Sequence, residues 1–127
     1  MTNREVLTKL ENLMCSGEAK ELTALYSSEA VIFTDEAVKI VKGQMEIERY
    51  YTWLVDLDPC IDFTYTDAIE TESLSVYNGL YVLGTMEGNS YKRFTFVISE
   101  GTIITQHIST DPEPVRVGEG LNEVNND

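Results

Sequence analysis

"YKRFTFVISEGTIITQHIST", residues 91–110, decides the fold: large apolar and polar side chains alternate on both sides of a Glu-Gly pair. Two period-two runs joined by a short glycine turn predict a β-hairpin. Two registers compete. A two-residue Glu100-Gly101 loop pairs Ser99 with Thr102, sets His107 opposite Phe94 and mixes polar with apolar on both faces. A three-residue loop with Gly101 left-handed in a bulge pairs Arg93 with His107 and Thr95 with Thr105 instead. That register puts Arg93, Thr95, Thr105, His107 and Ser109 on one face and Phe94, Phe96, Ile98, Ile104 and Ile108 on the other. It is the expected one, because a one-residue slip destroys the sorting. On the preceding side a Gly88-Asn89 turn brings Gly84 beside Arg93.

Outward from the hairpin, "IDFTYTDAIE" and "GLYVLGTME" add two more strands. Upstream, "TNREVLTKLENLMCSGE" opens with Thr2 and Glu5 in capping-box spacing and continues with Val6, Leu10, Leu13 and Met14 at helical intervals. Gly17 breaks that helix, and "EAKELTALYSSEA" restarts a shorter one with Leu22, Leu25 and Tyr26 in a stripe. "AVIFTDEAVKIVKG" gives two short β-branched segments around a turn, and "QMEIERYYTWLVDLDP" a third helix ending ahead of Pro59. Helices on one face of an antiparallel sheet make an α+β domain, residues 1–110. Residues 111–127 form an acidic tail poor in apolar surface, with Val115, Val117 and Leu121 as its docking residues.

The 127 residues suffice for one core. Twenty-two acids against nine bases, a net charge of −13, repel phosphate backbones and anionic lipid, so neither nucleic acid nor membrane is an expected partner. No apolar run reaches the length of a membrane span. Cys15 and Cys60 form no C-x-x-C pair and no secretory leader opens the chain, which points to a reduced, cytoplasmic protein. One histidine and no close His, Cys and carboxylate set predict no metal site, and no phosphate-binding glycine loop predicts no nucleotide cofactor.

The order helix, helix, "AVIFTDEAVKIVKGQMEIERYY", then strands ending in "RFTFV" and "IITQHIS" resembles the nuclear-transport-factor-2-like superfamily, which includes SnoaL-like polyketide cyclases, ketosteroid isomerases and kinase association domains. The resemblance covers residues 3 to 110. It implies a cone-like, strongly curved antiparallel sheet whose N-terminal helices close a concave pocket. It also implies that the polar face of Arg93 and His107 lines that pocket, while the face of Phe94, Phe96, Ile98, Ile104 and Ile108 meets a second subunit. Alternation alone reads the other way, with the polar face wet and the apolar face packed on the helices.

In a pocket, Arg93 beside His107 suits an anionic or carbonyl oxygen on an apolar ligand, with Thr95 and Ser109 on the same face. Tyr26, Phe33, Tyr50, Trp53, Tyr65 and Met86 are candidates for its walls. Asp35 lies near where the ketosteroid isomerases carry a general base, an alternative to a plain turn residue in "TDEA". The tyrosine that those isomerases place on the first helix has no counterpart here. Two functions stand open: a small-molecule pocket protein that binds, isomerises, cyclises or hydrolyses its ligand, and a homo-oligomerisation module without catalysis.

Overall fold

The computed structural model describes residues 1–15, 17–57, 60–86 and 88–111. Helix α1 (Asn3–Met14) starts where the capping box places it: the Glu5 N–H donates to Thr2 Oγ1, and the Thr2 N–H to Glu5 Oε1. Helix α2 (Ala19–Thr23) is shorter than its stripe predicts, because Tyr26 already opens strand β1 (Tyr26–Thr34) opposite Ile103. Strand pairing outweighs helical spacing there. Strand β2 (Val41–Lys42) leads into α3 (Gly43–Asp56), and strands β3 (Cys60–Glu70), β4 (Leu74–Thr85), β5 (Gly88–Ser99) and β6 (Thr102–Asp111) follow. Of the expected acidic tail, residues 111–127, Asp111 ends β6, and the rest, with Val115, Val117 and Leu121, lies outside the described residues.

The six strands form one open sheet in the order β2-β1-β6-β5-β4-β3, antiparallel except where β1 runs parallel to β6. Register shifts in β1, β3 and the β5–β6 pair bend it, since each bulge increases local twist. Gly79 is required by that bend: a Cβ there would stand 2.3 Å from the Thr64 carbonyl oxygen and 2.8 Å from the Phe94 ring.

The central hairpin keeps the predicted faces except at Ile104, which is 36 % exposed while Ile103 takes the buried position, and it does not keep the predicted turn. Glu100 and Gly101 both have positive φ, 50° and 82°, as a two-residue type I′ turn requires, and Ser99 pairs with Thr102. Ile98 then pairs with Ile103 and Val97 with Thr105, so Ile104 is the extra, bulged residue. Thr95 comes opposite His107, and Arg93 opposite Ser109. Arg93 and His107 are therefore diagonal neighbours on one face rather than a direct pair. Across β4, Leu80 rather than Gly84 stands beside Arg93, because Thr85 pairs with Gly88 and the turn falls earlier than expected.

The face assigned to a second subunit is corrected. Phe94, Phe96, Ile98 and Ile108 are 0–3 % exposed within the single chain, sharing one core with Val6, Leu10 and Met14 of α1 and Ile47, Tyr51 and Leu54 of α3. Amphipathic helices seek the apolar side of a sheet, so the concave, helix-covered face is the phenylalanine face. The face of Arg93, Thr95, His107 and Ser109 is the outer one, as alternation alone reads. Among the described residues no helix is long and apolar enough to cross a membrane.

Candidate functional site

Two polar side chains of the central hairpin lie on its covered face. Lys92 is in phase with Phe94 and Phe96, and the ladders set it between Tyr81 on β4 and Thr110 on β6. Gln106 is in phase with Ile108 and lies between Phe96 and Ile32. Lys92 and Gln106 are both buried. Lys92 Nζ donates to Thr110 Oγ1 at 2.8 Å and lies 3.0 Å from Glu36 Oε2, with side chains only 5 % and 11 % exposed.

Glu36 reaches this position from the turn after β1, where its N–H donates to Thr34 Oγ1. Its other oxygen, Oε1, accepts from the Tyr50 hydroxyl of α3 at 2.8 Å. Deeper in, the Tyr26 hydroxyl donates to Gln106 Oε1 and so receives its other hydrogen bond from Tyr51. Burial raises the pKa of all four tyrosines, that of Tyr51 to about 12; the nearby Glu36 carboxylate pushes Tyr50, Tyr51 and Tyr81 further the same way. At neutral pH they are protonated donors. The result is one cation and one carboxylate at the edge of a tyrosine-lined interior.

Of the residues picked out from sequence, Tyr26 and Tyr50 belong to this interior. Tyr65, on β3, packs its ring edge-on against Phe94 and donates to Glu11. Trp53 is half-exposed on α3 against Tyr50, and Met86 is fully exposed after β4. Arg93, Thr95, His107, Ser109 and Phe33 are on the outer face, where Phe33 stands 6.5 Å from the His107 ring and Thr95 donates to Asn78. The sheet itself thus separates the expected Arg93–His107 site from the concave, helix-covered side.

Asp35 is exposed and ties β6 to the turn, accepting from the Thr110 N–H at 2.8 Å and the Thr110 hydroxyl at 3.1 Å. Slight burial opposes its charge, but the Thr110 bonds and the Lys92 charge outweigh that and hold its carboxyl below the ordinary 3.8. The carboxylate facing inward is its neighbour, Glu36. A group whose folded pKa is depressed stabilises the fold above its unfolded value, and that stabilisation is lost as pH falls through the folded value. Asp35→Asn should therefore lower the urea midpoint slightly at pH 7, the carboxylate being exposed, and the gap to wild type should close in acid. A gap independent of pH would mean that the charge contributes nothing.

Glu36, Lys92, Tyr51, Tyr81 and Gln106 were not picked out as site residues. For Lys92 and Gln106 the signal was present, since both share the phase of the phenylalanines and isoleucines.

No family model matches the sequence, and no curated protein does. Solved structures do. A Xanthomonas campestris protein described as a calcium/calmodulin dependent protein kinase II association domain is 21 % identical, with TM-score 0.74 over 87 % of this chain and 86 % of that one. A ketosteroid isomerase-like protein from Erwinia carotovora atroseptica is 7 % identical, with TM-score 0.74 over 88 % and 95 %. An epoxide hydrolase/cyclase-like enzyme of pyran ring formation in salinomycin is 12 % identical, with TM-score 0.66 over 87 % and 91 %. With its helices on the concave side of a bent six-stranded sheet and these likenesses in structure, the chain has the nuclear-transport-factor-2-like fold.

Proposed function

We propose that this protein binds a small, largely apolar molecule bearing a carbonyl or anionic oxygen, held on the concave side at the Glu36–Lys92 pair. The observation that carries the reading is the near-complete burial of that pair. Removing two charges from water costs about as much as their attraction returns, and apolar residues of equal volume commonly do as well. Stability alone therefore gives little reason for a lysine among Phe94, Tyr81 and Tyr50. An ammonium has three donors; among the described residues Glu36 and Thr110 take two, and the third is assigned to the ligand oxygen.

The same arrangement supports acid–base chemistry. With a carbonyl oxygen on Lys92, Glu36 would take a proton from the adjacent carbon while the ammonium stabilises the resulting enolate. The likeness to isomerase-like and hydrolase/cyclase-like proteins agrees with this class of ligand.

Calorimetric titration of aryl carboxylates and their amides tests the reading, using wild type and the double variant Lys92→Met/Glu36→Leu. Wild type should prefer the carboxylate by about tenfold, as a charge-assisted hydrogen bond does, and the double variant should lose the preference. Equal affinity of wild type for acid and amide would sink it.

A second reading, self-association without catalysis, is favoured by the likeness to an association domain and by exposed apolar groups on the outer face. Phe33 and Ile69 are 43 % and 67 % exposed, and their rows run through Thr95 and Val97 across the sheet. A second copy would dock there, not on the phenylalanine face.

A further inference from the structure

The chain has two cysteines, Cys15 and Cys60. Cys15 is exposed and free at the C-cap of α1. The Ile61 N–H donates to its Sγ at 3.1 Å, and the Ile61 carbonyl oxygen lies 3.7 Å from the same sulfur, across a sequence separation of 46. Strand β3 is an edge of the sheet, so this thiol takes up backbone bonding that no further strand supplies.

The residue before Ile61 is Cys60, whose backbone heads β3 opposite Gly84. Peptide geometry puts the Ile61 nitrogen about 2.4 Å from the Cys60 Cα. The Cys15 sulfur therefore lies within about 5.5 Å of that Cα, a span that a Cα–Cβ–Sγ arm and a sulfur–sulfur bond close with a small shift. The fold has brought the Cys15 sulfur to within one peptide unit of the Cys60 backbone.

We propose that Cys15 and Cys60 form a reversible disulfide, driven by a small-molecule disulfide such as oxidised glutathione, that clamps the end of α1 to the sheet edge. Exposure makes Cys15 the point of entry. Its thiol loses a proton to solvent and attacks one sulfur of the oxidant, whose other half leaves as a thiolate. Cys60, deprotonated in turn, attacks the Cys15 sulfur of the mixed disulfide and expels the second half. The two protein thiols give up two electrons and two protons, and the oxidant becomes two thiols.

Leu10 and Met14 on α1 belong to the core under the concave face, so the clamp fixes one wall of the interior. In a reducing compartment it stays open until the thiol poise shifts.

The test is to equilibrate the folded, full-length protein in glutathione buffers of increasing oxidation, quench with a maleimide under denaturing conditions, and read intact mass and peptide map. Both thiols should be lost together, giving a monomer about 2 Da lighter with the Cys15 and Cys60 peptides joined. Closing a loop of this length should raise Tm by roughly 5–10 °C. Cys60→Ser should stop at a glutathione adduct on Cys15; if that variant fails to fold, the wild-type map still decides. A lasting adduct on Cys15 beside an alkylatable Cys60, or disulfides only between molecules, overturns the proposal.

Discussion

Lys92→Met should cost about 3 kcal/mol of unfolding free energy, because it leaves the Glu36 carboxylate buried without its cation, the case in which breaking an ion pair is most damaging. Tyr50 and Thr34 still donate to Glu36, but two neutral hydrogen bonds do not replace a full charge at 3.0 Å. Replacing both partners, as in Lys92→Met/Glu36→Leu, should recover most of the loss. About 1 kcal/mol should remain missing, since the Tyr50 hydroxyl then lacks its acceptor. Urea denaturation of the two single variants and the double variant measures all of this as one cycle. A single-variant loss under about 1 kcal/mol would place the pair in water, and the binding site argued from its burial would go with it.

How far this site could be read in advance depends on which kind of order each residue obeys. Alternation fixes which side chains share a face, and Arg93, Thr95, Thr105, His107 and Ser109 do share one. It does not say which face the helices cover. That follows from the apolar stripes of α1 and α3, which bury Val6, Leu10, Ile47 and Leu54 and need an apolar partner. Taken together, stripes and alternation already pointed to the phenylalanine face, and to Lys92 and Gln106 as buried polar groups on it. The expectation of an Arg93–His107 pocket put the polar residues together and passed over the polar residue among apolar ones, the rarer and more informative placement.

Other features were not legible at all. Glu36 meets Lys92 only because the turn after β1 folds back over the end of β6, where Asp35 holds Thr110; no local spacing encodes that. The hairpin shows a subtler limit. Sorting of faces required one extra residue on the β6 side, and sequence could not tell whether it sat in the turn or at Ile104. A left-handed Glu100 followed by Gly101 settles it in favour of the tight turn, with the bulge displaced into the strand.

Phe96→Ala should be the most damaging apolar truncation on the sheet, costing 3–5 kcal/mol, about the range for a buried aromatic. Phe96 is 1 % exposed, its ring centroid is 5.1 Å from that of Phe94, and its neighbours across the ladders are Tyr77 and Gln106. The truncation would leave a void against residues already fixed by the sheet. Phe33→Glu, on the opposite face, should change stability by less than about 0.5 kcal/mol in the single chain, because a half-exposed position loses little transfer energy and leaves no cavity. The two substitutions also separate folding from association. If a second copy docks on the outer face, sedimentation equilibrium should show Phe33→Glu fully folded but lighter than wild type at micromolar concentration, because a carboxylate there cannot be buried without a partner. Phe96→Ala should instead lose urea stability at every protein concentration. The reverse outcome, with Phe96→Ala folded but monomeric and Phe33→Glu unfolded, would return the phenylalanine face to the subunit interface.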